Sequence, residues 1–371
     1  MASEVREGYA RLPEDLLRDL LSGAEDVAKQ VTQMLGPAID NRDRLRTALD
    51  TLGLVRTFQL EEPTTICGID GGFAVERTAA VDISLSVAVG VEGLSGETTY
   101  WDATQYEWWT RVDKHNLEAE RLARGVMVAQ ELAVLCNAPH NLHILDGSHL
   151  TPVIQLNTAL TAHSEELRQE ALRVWERLKT VEALTRATKD VKIIAMPKYD
   201  SSRVISDKLQ SILGQAIPGD DKQLLALILR PGELIVPQQV PEQPWASLHF
   251  TARSDADKEV AEALEKAIRP LQERSLKFTY FKPTEFSPAF RIELKGSLTD
   301  MDLNKIVSTL AAQITGPFIR EPYPQYLADV MAKSVGLGLS AVQTAVQLSM
   351  SGMGRPEIAE LLIHSYRTEG V

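Results

Sequence analysis

Thr64-Thr65-Ile66-Cys67-Gly68-Ile69-Asp70-Gly71-Gly72 is an apolar run that ends on a carboxylate and two glycines, and His143-Ile144-Leu145-Asp146-Gly147-Ser148 takes the same form later in the chain. Each reads as a strand closing in an acidic turn. An α/β sheet builds its site beyond the carboxyl ends of such strands, so what lies between the two decides the fold. After Gly72 comes Ala79 to Val91, rich in Val and Ile, then the Gly93-Leu94-Ser95-Gly96 turn and Thr98 to Ala103. That is a three-strand meander. His115 to Cys136 has helical spacing, Pro139 breaks it, and His143 to Asp146 is a short buried strand. Residues 155–188 predict one long helix, followed by a strand from Val191 to Met196. A right-handed crossover then lays strand 142–146 parallel to strand 64–70 and brings Asp70 to Asp146.

Outward from this block, residues 13–54 predict helices, with Leu16, Leu17, Leu20 and Leu21 on one face and an interruption at Pro37. Toward the C-terminus come a strand-rich stretch (236–253), a helix from Asp257 to Ile268, a hairpin of Leu276 to Phe281 with Ala289 to Leu294, and helices from Thr299 onward. The fold class is α/β: a mixed sheet flanked by helices, with an N-terminal helical extension (1–58), a central domain with insertions (59–335) and a helical C-terminal segment (336–371).

Composition narrows the chemistry. The 371 residues are 44% hydrophobic and 24% charged, an ordinary globular balance, and the net charge of -12 argues against a surface that binds polyanions all over. Cys67 and Cys136 are too few for a disulfide framework or a cysteine zinc site, which predicts a reducing, cytoplasmic setting. The start Met1-Ala2-Ser3-Glu4-Val5-Arg6-Glu7 predicts neither a secretory signal nor a membrane anchor. No Gly-x-x-x-x-Gly-Lys run is present, so a P-loop ATPase is not expected.

Carboxylates arriving from several elements are the usual holders of paired magnesium or manganese ions in phosphodiester chemistry. Asp70 and Asp146 end two strands, Glu118, Glu120 and Glu131 lie on the intervening helix, and Asp329 lies on a late helix. Glu120 and Glu131 stand three turns apart on one helix face, so one of them is at metal height. Glu120, nearer the helix start and the strand ends, ranks first, and Glu131 is the alternative. His140, His143 and His149 bracket Asp146 without ligand spacing, and Trp101, Trp108 and Trp109 with Arg111 and Lys114 read as core or interface before strand binding.

The ordered set Ile69-Asp70-Gly71-Gly72, the Glu-bearing helix, Ile144-Leu145-Asp146-Gly147-Ser148, Ile194-Ala195-Met196-Pro197-Lys198-Tyr199 and Pro322-Tyr323-Pro324-Gln325-Tyr326-Leu327-Ala328-Asp329 resembles the NurA nucleases over roughly residues 60–335. The resemblance implies an RNase H-like core, Mn2+- or Mg2+-dependent cleavage of DNA with two ions, and a homodimer. It also implies partnership with a hexameric HerA translocase in DNA end processing or antiviral defence. Carried over, Asp70, Glu120 (or Glu131), Asp146 and Asp329 are the catalytic metal ligands, with Lys198 and Tyr323 at the DNA. The chain departs from the pattern in three ways. Gly72 stands where the family's first turn usually has Ser, Asp329 stands where His is common, and the acidic helix aligns in two registers.

Two other classes fit parts of the chain. Gly68-Ile69-Asp70-Gly71-Gly72 is similar to the first phosphate turn of actin-like and sugar-kinase ATPases, yet Phe73-Ala74-Val75 follows in place of further glycine. A non-catalytic adaptor of a motor ATPase would use the terminal helices for docking, Val335 to Met350 among them. The three aspartates favour the enzyme.

Overall fold

A computed structural model describes residues 13–94, 101, 105–241, 249–273, 276–296, 298–354, 356–361 and 365–370. Two compact units result: Met1–Gly53 (described from Pro13) with Ser201–Ile228, and Leu54–Asp200 with Leu229–Val371.

In the first unit, helices Glu14–Ser22, Ala24–Asp40 and Arg42–Thr51 accompany Val204–Leu213 and Asp221–Ile228. Leu45, Leu49, Ile205, Leu209, Leu224 and Leu225 are buried, and the Asp221 carboxylate accepts from the N–H groups of Ile205 (3.0 Å) and Ser206 (2.7 Å), capping the first turn of Val204–Leu213. Pro37 does not interrupt its helix. Ala24–Asp40 runs through it, although an interior proline forfeits one helix hydrogen bond. The face carrying Leu16, Leu17, Leu20, Leu21, Val27 and Val31 is exposed.

The second unit holds an 11-stranded sheet. Its strands are β1 (Val55–Thr57), β2 (Ile66–Thr78), β3 (Asp82–Glu92), β4 (Tyr106–Asp113), β5 (Leu142–Asp146), β6 (Ile193–Met196), β7 (Glu233–Ile235), β8 (Gln238–Gln239), β9 (Lys277–Lys282), β10 (Phe290–Leu294) and β11 (Ser365–Gly370). The path is β1-β7-β9-β10-β6-β5-β2-β3-β4, with β8 on β9 and β11 on β2. The meander β2-β3-β4 is antiparallel, and β2, β5 and β6 are parallel, as the crossover argument requires.

Strand β2 is the spine, and it corrects the reading of Asp70-Gly71-Gly72 as a turn. Those residues stay extended because Val89, Ala88 and Val87 of β3 pair with them, a tertiary pairing that overrides local turn chemistry. On its other edge β2 pairs with β5 up to Ile69↔Leu145, and with β11 from Gly370↔Ala74 onward. Between those two neighbours Asp70 sits at an open stretch of edge, just past the carboxyl ends of β5 and β6.

Alternation along β2 sorts the layers. Cys67, Ile69, Phe73 and Val75 face a core shared with helix Ala119–Asn137 and, behind it, Thr151–Leu160, Glu165–Arg177, Thr180–Lys189 and Asp255–Glu273. Ile66 faces the opposite core, where Leu303, Ile306, Val307 and Leu310 of helix Asp300–Ala311 pack on Ile144, Ile194, Ile292 and Phe281. The single helix expected over 155–188 is three helices. Ser164 caps the second through Leu167 N, and Lys179 adopts a left-handed φ of 52° before the third. The strand expected at 98–103 lies mostly outside the described residues, and the third strand of the meander is β4. Helices Tyr323–Lys333, Val335–Gly352 and Pro356–Leu361 follow, and β11 then returns the chain to the sheet.

Candidate metal centre

Asp70 on β2, Asp146 at the end of β5 and Asp329 on helix Tyr323–Lys333 each offer a carboxylate oxygen, all within 4.8 Å of one another. Glycines make this possible. A Cβ at Gly68 would lie 2.6 Å from the Pro324 carbonyl carbon, and one at Gly72 would lie 2.2 Å from the Ala332 carbonyl oxygen. The helix therefore rests its backbone on bare strand at two points that flank Asp70, and Asp329 is held above it. Gly72 stands where the family usually has Ser, and a side chain there would have no room. Within the helix, residues four apart share a face: Gln325 donates to Asp146 Oδ1 (2.7 Å) and to Met196 O (3.1 Å), and Lys333 donates to Asp329 Oδ2 (2.8 Å).

The Lys198 ammonium lies among these acids, in the loop after β6. It hydrogen-bonds Asp329 and stands 3.2 Å from Asp146, 3.6 Å from Glu321 and 3.9 Å from Asp70. Burial would lower its pKa, but Asp146, Asp329, Glu321 and Asp70 outweigh that and raise it, so the ammonium stays charged. Burial, then the charge of Asp146, pushes Asp70 up to about 8 against the pull of Lys198 and the Gly71 N–H. Asp329 goes the other way. Its burial is outweighed by hydrogen bonds from Lys198 and Lys333, which hold it below the usual range.

Of the helix carboxylates, the structure brings Glu131 to the cluster, not Glu120. Glu131 is buried, and a Cβ at Gly71 would lie 2.5 Å from its Oε1. Gly71 is thus the gap through which Glu131 reaches the aspartates from the opposite face of the sheet. Burial first, then Asp70 and Asp146, raise its pKa well above the carboxylate range. Glu120 lies 3.6 Å from Arg124, and Glu118 precedes the helix and accepts from His163 N and Ser164 N at 3.0 Å each. The expectation that favoured Glu120 ended the strand at Asp70, whereas β2 runs on past it. The cluster sits beside the middle of the strand and the later turns of the helix, not beside the helix start.

Tyr323 is half-buried at the first turn of its helix, its N–H donating to Gln313 O (3.0 Å). Trp109 is buried with its Nε1 on Glu170 (3.2 Å), and Arg111 pairs with Asp113, Glu166 and Glu170. His140, His143 and His149 are buried away from the cluster, and His143 Nε2 meets Ala138 O at 3.1 Å. Sequence reasoning missed Glu321, Gln325 and Lys333. For the last two the signal was present, since they stand one helical turn before and after Asp329.

The donor set is all oxygen, which suits a hard divalent cation. The Glu321 Oε2 atom is buried without a hydrogen-bond partner, and an ammonium already lies among the carboxylates. The residues therefore fit a bound cation. They do not fit a phosphate turn of the actin-like kind, because the Gly71-Gly72 backbone is committed to β3.

The NurA domain family model matches residues 64–330. Among solved structures, the NurA nuclease from Sulfolobus solfataricus is similar over 92% of this chain and 98% of its own, at 12% identity and a TM-score of 0.59. A second NurA structure covers 91% and 99% at 12% identity (TM-score 0.53), and a NurA with manganese covers 86% and 98% at 13% (TM-score 0.50). At such identities the likeness is one of fold. Curated proteins give no match.

Proposed function

Because the chain belongs to the NurA family, we propose that it is a metal-dependent deoxyribonuclease whose centre is Asp70, Asp146, Asp329 and Glu131. The observation that carries this reading is the three-aspartate cluster within 4.8 Å. A related fold solved with manganese supports Mn2+, with Mg2+ as the natural alternative for oxygen donors. Bound cations, two in this reading, would lower the pKa of water and stabilise the leaving oxygen of a phosphodiester.

The chain's own residues supply the rest. Gln325 orients the Asp146 carboxylate and Lys333 orients Asp329. Lys198, held charged, would be displaced from the carboxylates by the bound cation and would then donate its N–H groups to a DNA phosphate. Tyr323 lies beside the strand at the start of the helix that carries Asp329.

The wider reading is a homodimer acting on DNA ends with a HerA-type hexameric translocase, in repair or in antiviral defence, in the cytoplasm. The sequence contains no P-loop, so movement along DNA would come from that partner. No helix among the described residues is long and apolar enough to cross a membrane. Residues 59–335 are assigned as the nuclease portion, with 1–58 and 336–371 as flanking segments.

The test is cleavage of linear single- and double-stranded DNA with and without Mn2+, for the wild-type chain and for Asp70→Asn and Asp146→Asn. Mn2+-dependent cleavage that both variants lose while remaining folded is the expected result. Undiminished cleavage by either variant would refute the assignment.

A further inference from the structure

The sequence Phe290-Arg291-Ile292-Glu293-Leu294-Lys295 alternates apolar with charged residues, the pattern of a strand with one face in water. Strand β10 has no such face. Phe290, Ile292 and Leu294 fill the core toward helix Asp300–Ala311, yet Arg291 and Glu293, on the other face, are buried as well. Burying ions is expensive, and apolar residues of similar volume usually serve stability at least as well. Two buried ions side by side therefore call for a purpose other than stability.

Their contacts lead to the two loops that build the metal centre. Glu293 Oε2 accepts from Ser148 Oγ (2.7 Å) and from His149 N (3.1 Å), the residues that follow Asp146-Gly147. Its Oε1 accepts from Arg291 Nη2 at 3.0 Å, and Arg291 Nη1 donates to Asp200 Oδ1 at 2.6 Å. Asp200 follows Lys198-Tyr199 in the loop after β6, and it also accepts from the Tyr280 hydroxyl of β9. The Arg291 guanidinium lies 4.7 Å from the Phe278 ring centroid, within cation–π range. Side-chain exposures of 7% for Asp200, 7% for Arg291 and 4% for Glu293 leave little room for water to substitute for any link.

We propose that Glu293, with Arg291 and Asp200, forms a buried charged brace that ties the Asp146 loop to the Lys198 loop, so that Glu293 is a positioning residue of the metal centre. It touches neither Lys198 nor the aspartates. It acts through Ser148 and His149 on the Asp146 carboxylate just before them, and through Arg291 and Asp200 on the loop of the ammonium. Charge-assisted hydrogen bonds suit this task, since they are short and directional. A shift of about 1 Å in such a group is enough to lower a rate by about a hundredfold.

This inference rests on the proposed nuclease reading, so its experiment carries a readout independent of cleavage. Glu293→Gln, Ser148→Ala and the double variant are prepared in the full chain. Mn2+ affinity is measured by electron paramagnetic resonance titration, with thermal stability and the kcat and KM for linear DNA alongside. The expected result is Mn2+ binding weakened about tenfold in each single variant and kcat lowered by at least as much, with KM for DNA unchanged. The double variant loses less Mn2+ affinity than the two single losses combined, because both changes disturb the Ser148–Glu293 contact, although Ser148→Ala also removes the acceptor of Leu150 N. Should Glu293→Gln fail to fold, Ser148→Ala, which deletes one hydroxyl from a half-buried loop, decides alone. Lower thermal stability with unaltered Mn2+ affinity makes the brace merely structural and overturns the proposal. A wild-type chain that binds Mn2+ without cleaving DNA overturns the nuclease reading and leaves the affinities to judge the brace. One that binds no Mn2+ overturns both.

Discussion

Replacing Lys198 by methionine keeps the side chain out to the Cε position and removes the ammonium that stands among Asp70, Asp146, Glu321 and Asp329. At an effective dielectric near 20, contacts of 3.2, 3.6 and 3.9 Å are each worth about 4–5 kcal/mol before desolvation. Desolvation of the ammonium offsets most of that, and removing one partner of a buried pair costs about 3–5 kcal/mol. With 18% of the Lys198 side chain exposed, the lower end applies, and the metal-free variant should melt about 5 °C below wild type. The sign reverses when a cation is added. In the wild type Mn2+ must displace an ammonium, which recovers part of its solvation on leaving. If about 1.4 kcal/mol of that cost remains, Lys198→Met binds Mn2+ about tenfold more tightly. Cleavage should nevertheless fall by about a hundredfold, because the phosphate has lost its donor. Scanning fluorimetry with and without MnCl2, titration calorimetry and a cleavage assay together measure all three effects. Mn2+ affinity that is unchanged or weaker in the variant would show that Lys198 does not compete for the site.

Other outcomes follow from the same geometry. Glu131→Gln should abolish cleavage in the DNA assay, whereas Glu120→Gln should retain it, because Glu120 pairs with Arg124; equal loss in both would return the site to the helix start. Gly72→Ala should drive a methyl into the Ala332 carbonyl, destabilise the fold by about 1–3 kcal/mol in denaturant titration and lower cleavage more than tenfold by lifting Asp329; wild-type stability would refute the close approach. Asp70 is pushed up from 3.8 to about 8. A raised carboxyl contributes stability that is present below its unfolded value and is lost as pH rises through the folded one. The metal-free protein should therefore melt at progressively lower temperature from pH 5 to pH 9. Saturating Mn2+ should abolish that decline, since the cation takes over from the proton, and a flat metal-free profile would contradict the reading.

Much of this molecule is legible in its sequence, and the failures have specific causes. The crossover that sets β5 beside β2 follows from apolar runs, helix length and handedness, so the meeting of Asp70 with Asp146 is derivable. The turn assigned to Gly71-Gly72 is wrong because two glycines after an aspartate have the same local signature whether the chain reverses or a neighbour needs bare backbone. Only the arrival of Glu131 on one face and Ala332 on the other distinguishes them, and both are remote in sequence. Misplacing the strand end also moves the expected cluster toward the helix start, next to Glu120 and not Glu131. Gln325 and Lys333 were within reach by helical spacing from Asp329. Glu293 was not, since its alternating charged strand looks solvated until the loops above β5 and β6 are in place.

The helix that rests on Gly68 and Gly72 also imposes an order in time. Asp329 lies 131 residues after Lys198, and at about 5–20 residues per second a ribosome needs on the order of 7–25 s to make that stretch. Throughout that interval the emerging chain can pair β2, β5 and β6 while its aspartate cluster still lacks its third member, and Gln325 is not there to orient the second. The aspartate cluster is thus complete only once the Tyr323–Lys333 helix has been made. A chain that stalls or is clipped before the helix is made carries only two of the three clustered aspartates.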